Sequence, residues 1–258
     1  MGTISATPLV RERNFILVSL LALASAAWAL LVWQWATADD QGMMGITKGM
    51  SAPLFIGMWV VMMVAMMFPT AAPMILTFAR VQAGRREKGR PYVPTGIFVG
   101  SYILVWSFGG VVAYSAAVGA EQAADRVGWL MDNAGHIGGA VIVLAGLYQL
   151  TPLKRSCLSK CRTPMDFIML SWRDGYGGAV RMGLGHGAYC LGCCWLLFLI
   201  LFPLGVMNVA VMALITGLIF AEKSLALGHQ AARLAAVALI GYGALVVASP
   251  AALPTMTM

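Results

Sequence analysis

The segment Gly185-His186-Gly187-Ala188-Tyr189-Cys190-Leu191-Gly192-Cys193-Cys194-Trp195 places three thiols and an imidazole close together in a run free of charge. In a helix, His186, Cys190 and either Cys193 or Cys194 share one face at i, i+4 and i+7 or i+8. Such a set offers soft ligands for Cu(I), or a complete nitrogen and sulfur set for Zn(II). A single helical cysteine is usually just a small hydrophobe; three of them one turn from a histidine are better explained as ligands. Upstream, Met58-Trp59-Val60-Val61-Met62-Met63-Val64-Ala65-Met66-Met67-Phe68-Pro69 carries five methionines. Met58, Met62 and Met66 recur every fourth residue, and Met63 and Met67 form the adjacent stripe. Thioethers suit Cu(I) and sit in hydrocarbon without the cost of a carboxylate, but methionine also fills gaps between helices, so both readings stay open. Cys157 and Cys161 form a third candidate pair, able to chelate if their basic segment is helical. An ordinary basic loop is the equal alternative.

The elements that must position these groups are apolar. Of 258 residues, 60% are hydrophobic and 10% charged, with 18 Met and five Cys, and the mean hydropathy is +0.82. Soluble domains carry about 25% charged residues, so that class is excluded. Five cysteines are too few for a disulfide framework. Uncharged runs cover 15–38, 49–79, 91–120, 182–221 and 234–258, and 133–153 holds only His136. The run 182–221 exceeds the roughly 20 residues of one span, and Pro203, Gly205 and Asn208 supply a turn within it. The pattern predicts an all-α, polytopic transmembrane bundle of about seven helices, near 15–35, 52–79, 95–118, 136–152, 184–202, 206–221 and 232–250. The charged stretches between them are too short for a second folded domain, so residues 1–258 form a single transmembrane domain. Within the second helix, Pro69 and Pro73 free the carbonyls of Ala65 and Pro69.

The net charge of +7 reads as topology. With a cytoplasmic N-terminus, 15 of the 17 Lys and Arg lie inside, all but Lys48 and Arg126, which accounts for the basic balance without nucleic acid. Ala36-Thr37-Ala38 resembles a signal-peptidase site, but its apolar stretch is longer than a signal peptide's, so an uncleaved first helix is expected. Phe68-Pro69 and Phe202-Pro203 lie on oppositely directed helices, as an inverted repeat would have them, on too little sequence to carry one. In this orientation Met58 to Met67 occupy the outer and middle part of the second helix. Met43, Met44, Met50, Met256 and Met258 lie outside, and His186 to Cys194 occupy the inner and middle part of the fifth helix. Thioethers outside and thiols inside form an inward gradient of Cu(I) affinity. Among the other polar residues, Glu222 and Lys223 read as a mutually paired helix end at the cytoplasmic surface in preference to a gate, His136 as interfacial rather than a ligand, and His229 as surface. Glycines 183, 185, 187 and 192 let a neighbouring helix approach closely.

The segments Met62-Met63 through Pro69, Thr151-Pro152-Leu153-Lys154 through Cys161, and Cys190-Leu191-Gly192-Cys193-Cys194-Trp195, followed by Met207-Asn208 and Glu222-Lys223, resemble a bacterial membrane family. It is a domain-of-unknown-function family described as predicted metal-binding integral membrane proteins, and the likeness spans roughly residues 50–225. The resemblance implies a multi-helix protein of the bacterial inner membrane and a metal. It carries over Met62, Met63, Met66, Met67, Cys157, Cys161, Cys190, Cys193 and Cys194 as candidate ligands. His186 and Met58 rest on spacing alone.

Three functions fit these residues. The first is a copper-handling protein that binds Cu(I) in the bundle and acquires it, transfers it, or delivers it to a membrane partner, such as a metal donor or acceptor protein or a membrane enzyme complex. The second is a membrane thiol-disulfide redox protein cycling Cys190 with Cys193, or Cys157 with Cys161. The third is a structural subunit whose Met and Gly serve packing. The sequence has neither a phosphate-binding G-x-x-x-x-G-K-[ST] loop nor the Asp-Lys-Thr-Gly phosphorylation motif of ion pumps. ATP is therefore not the direct energy source. No carboxylate falls inside an expected span, which weakens a proton relay.

Overall fold

The computed structural model describes residues 8–37, 50–206 and 208–254, and helices dominate it. In chain order they are α1 (Pro8–Thr37), α2 (Ala52–Glu87), α3 (Thr95–Arg126), α4 (Gly128–Asp132), α5 (Ala134–Gln149), α6 (Pro152–Arg162), α7 (Pro164–Ser171), α8 (Gly175–Leu199), α9 (Leu201–Leu204), α10 (Val209–Ser224) and α11 (Gly228–Ala248). Met43, Met44, Lys48, Met207, Met256, Met258 and Ala38 of the signal-peptidase-like triplet lie outside the described residues.

Among the described residues, five helices are long and apolar enough to cross a membrane: α1, α2, α3, α8 continued through α9, and α11. The span expected at 136–152 falls instead mainly on α5, which bends by 63° into α6, and the two qualify only together, as a broken span. Thr151 sets that break. It stays extended and caps α6 by accepting a hydrogen bond from the Lys154 amide, while Pro152 opens the new helix. At 16 residues, α10 is shorter than a span normally needs. Against the seven spans expected, five helices qualify among the described residues, or six with the bent pair. The expected turn after α8 is present: Gly205 adopts a left-handed φ of 95°, and the Asn208 side chain caps α10 through the Val211 amide at 3.1 Å.

α2 is the central element, packed most extensively by α1 and also by α3, α10 and α7, while α3 is the main partner of α8. Pro69 leaves Ala65 without its helical donor, and the Trp28 indole of α1 supplies one at 3.0 Å. A missing backbone bond in α2 has thus become the docking point of α1. Across α2, α3 and α8 run two ring contacts at different depths. Phe78 stacks on Phe98, which stacks on His186, and further along Trp59 and Trp106 both meet Phe198. The Trp59 indole also donates to the Trp106 carbonyl at 2.9 Å. The helix ends expected to be cytoplasmic are tied to one another: Glu12 pairs with Arg86, Asp174 with Arg85 at 2.8 Å, and Arg85 stacks over Trp172.

On the other flank α5 and α11 cross closely. A Cβ on Gly139 would lie 2.8 Å from the Val247 amide nitrogen and 3.0 Å from the Gly243 carbonyl, and one on Gly243 would meet Val143 and Gly139 in the same way. Small residues facing one another let the backbones pack, which is the main source of association in lipid. Gly139→Ala is expected to cost about 1–3 kcal/mol by overpacking and to lower the apparent Tm of detergent-purified protein. Gly100→Ala, where a Cβ meets nothing, is expected to leave Tm unchanged or raise it. Equal effects at the two sites would show that the crossing does not depend on close approach.

Candidate metal centre

Four helices meet at the thiols: α3, α6, α8 and α10. α8 presents His186, Cys190, Cys193 and Cys194, all buried, because its glycine face allows α3 to approach. A Cβ on Gly183 would lie 2.5 Å from the Phe98 carbonyl, and one on Gly187 would lie 2.9 Å from Val105. Of the four glycines expected to serve packing, Gly185 makes only an ordinary contact with Phe167, and Gly192 receives the Cys157 sulfur rather than a helix backbone. α6 brings in Cys161, which is buried and faces the thiols of Cys190 and Cys193. The Cys157 to Cys161 spacing is helical as anticipated, but the pair is divided: Cys157 is half-buried against Gly192 and Cys161 joins the inner group.

The group is dense. Cys193 Sγ lies 3.2 Å from Cys194 Sγ and 3.1 Å from the Cys190 carbonyl oxygen. Cys190 Sγ lies 3.1 Å from the Tyr102 hydroxyl of α3 and accepts from Lys223 Nζ of α10 at 3.0 Å. One turn away, the His186 ring stacks on Tyr102 with centroids 5.3 Å apart and rests against Phe98 and Phe167. Both of its ring nitrogens are buried without a hydrogen-bond partner. An imidazole with two unused nitrogens beside thiols is an unspent donor set of the kind a soft metal requires. Yet among the described residues no group of three or more His, Cys, Asp or Glu is already disposed around a common metal position. The donor types therefore fit a metal, and the spacing in this state fits at most a pair of thiolates.

The reading of Glu222 and Lys223 as a mutually paired surface end is corrected here. Both are buried, at 1% and 8% exposure, and they point to different partners. Glu222 Oε2 meets Lys154 Nζ of α6 at 2.7 Å, and Gln149 also accepts from that ammonium. Lys223 turns to Cys190. Consecutive helical residues project about 100° apart, so a short helix wedged between two others can serve both. Arg162 finishes the joint by donating to the carbonyls of Glu222 and Leu225 at the end of α10. Lys154, Lys223 and Tyr102 were missed in the sequence. The signal for Lys223 was its place at the end of an apolar run, where a lysine is ordinarily exposed.

The methionines separate by depth. Met62, Met63, Met66 and Met67 are buried in the core, where Thr70 donates to the Met67 carbonyl at 3.0 Å. Met58 is half-buried and lines a small pocket with Phe55, Trp59, Met62 and Val206. Because α2 and α8 run antiparallel between the two ring contacts, Met62 to Met67 and Cys190 to Cys194 share the middle of the bundle. His136 and His229 are exposed, as expected.

Breaking the Lys154–Glu222 pair leaves a buried charge unpaired, a cost of roughly 3–5 kcal/mol, whereas removing both charges is close to neutral. Glu222→Gln is expected to lower the apparent Tm sharply, with Lys154→Met/Glu222→Met recovering most of the loss. A single variant as stable as the parent would show that the pair does not join α6 to α10.

Neither a curated protein nor a solved structure matches this chain. A family model described as a copper chaperone, PpoB2, matches residues 56–246, which include α3, α8 and α10, the thiols, Lys154 and Lys223. The match agrees with the motif resemblance in pointing to a metal, names copper, and does not carry the name of the family suggested by the motifs. The chain belongs to the PpoB2 copper chaperone family.

Proposed function

We propose that this protein is a membrane copper chaperone that takes up Cu(I) at the buried thiols of Cys161, Cys190, Cys193 and Cys194, with His186 beside them, and passes it to a membrane partner. The observation that carries the reading is the meeting of thiols from α6 and α8 in a buried place lined by Tyr102 and Lys223. Thiolates prefer Cu(I), and in hydrocarbon a sulfur ligand is less costly to bury than a carboxylate. Met58, Met62, Met63, Met66 and Met67 are the weaker, thioether ligands in this scheme, with the Met58–Met62 pocket as the place where copper first meets them. Cys157, set apart against Gly192, is a secondary ligand. The orientation follows from the cations: the N-terminus, α6 and α7 face the cytoplasm of a bacterial inner membrane.

A thiol-disulfide redox role is the second reading. All five cysteines are free in this structure, so the dithiol state it requires is available. Its difficulty is access, because disulfide exchange needs a partner thiol to reach the sulfur, and four of the five are buried.

Elemental analysis of detergent-purified protein loaded anaerobically with Cu(I) separates the readings. About one or more copper per chain is expected. Cys190→Ser is expected to remove most of it, Cys193→Ser or Cys194→Ser to lower it more than Cys157→Ser, and Met62→Leu to slow loading. Metal-free protein that forms a reversible disulfide would replace copper handling with the redox role. Protein with neither property would leave a structural subunit, and equal copper loss for Cys157→Ser and Cys193→Ser would overturn the inner site. The same assay with Zn(II) tests the alternative metal.

A further inference from the structure

We propose that Lys223 is a specificity-determining counter-ion, whose buried ammonium balances the single negative charge of Cu(I) held by two thiolates and so favours that ion over Zn(II). The inference rests on the copper-binding reading and deepens it.

Lys223 is almost wholly buried, and Glu222 is the one buried carboxylate among the described residues. That carboxylate is committed to Lys154. The Lys223 ammonium therefore has no carboxylate of its own and faces sulfur, with Cys190 Sγ at 3.0 Å and Cys194, Cys193 and Cys161 also within reach of its charge. A buried cation without an anion is costly in a low-dielectric interior, so this position is stable only where sulfur can carry negative charge.

Charge arithmetic then distinguishes the metals. Cu(I) bound by the sulfur that already carries the charge opposite Lys223 and by one further thiol gives a bis(thiolate) complex of charge minus one and releases one proton to water. Copper stays monovalent, no electron moves, and Lys223 makes the site neutral. Zn(II) with the same two thiols gives a neutral complex and leaves the ammonium uncompensated. Zinc would need a third thiolate to restore the balance and a fourth ligand to complete its tetrahedron. Among the described residues no group of three or more ligands is placed to supply that shell. The pairing of one lysine with a few converging thiols thus matches a monovalent soft ion in two-fold sulfur coordination.

The test uses the full chain in detergent, with Cu(I) supplied anaerobically as its acetonitrile complex against a competing chelator, and Zn(II) in separate titrations. Lys223→Met is expected to weaken Cu(I) binding by about tenfold or more while Zn(II) binding holds or strengthens, and Lys223→Arg is expected to retain most Cu(I) affinity. Lys223→Gln keeps a donor for Cys190 without the charge, and is expected to behave like Lys223→Met. Equal loss of both metals would assign Lys223 a structural role and overturn the proposal. Wild-type Cu(I) affinity in Lys223→Gln would also overturn it. Wild-type protein that binds no Cu(I) would sink the copper reading itself, whereas charge-independent Cu(I) binding would sink only this inference.

Discussion

A buried charge must be matched where it sits, and in this bundle that constraint falls on two consecutive residues of α10. Glu222 is matched by Lys154 of α6, and Lys223 by the sulfur of Cys190 on α8. Because neither charge can reach water, α6 and α8 are held to α10 and therefore to each other. The same joint brings Cys161 against Cys190 and Cys193. The bend between α5 and α6 belongs to this arrangement, since a straight continuation of α5 would carry Lys154 and Cys161 away from α10. Arg162 closes the free carbonyls at the end of α10, so the polar backbone there is also satisfied.

The remainder of the bundle is held by means that suit lipid. Hydrophobic burial gives little reason for one apolar helix to prefer another over lipid, so packing detail and hydrogen bonds decide. α5 and α11 meet through paired glycines, α3 and α8 through Gly183 and Gly187, and α1 and α2 through one indole donating to the carbonyl that a proline freed. Each contact depends on a particular small residue or a particular missing bond. On the α3 side of the site, Tyr102 both packs against His186 and touches Cys190.

The sequence made the soft donors legible because their types and spacing are local facts. His186, Cys190, Cys193 and Cys194 lie within a few turns of one helix, and their shared burial follows from its period. The turn at Gly205 and Asn208 and the freed carbonyl of Ala65 were equally local. What could not be read was which sequence-distant groups face one another. Lys154 sits in a basic, Ser-containing segment that looks like a loop, and 68 residues separate it from Glu222. Glu222 and Lys223 are adjacent and of opposite sign, so pairing with each other was the local solution, and only the arrival of α6 and α8 on different sides of α10 makes a different one better. The bend between α5 and α6 escaped for a related reason: hydropathy measures a run's length, and does not register a cap such as Thr151 that redirects it.

The central claim is that sulfur from α6 and α8 binds copper next to a lysine in the interior of the bundle. X-ray absorption at the copper edge of the Cu(I)-loaded, detergent-solubilised protein tests it most directly. The account predicts a Cu(I) edge with a first shell made of sulfur at thiolate distances, lost when the cysteines are alkylated in the unfolded protein before loading. A first shell of nitrogen and oxygen, or copper retained undiminished by protein whose thiols are all blocked, would contradict it.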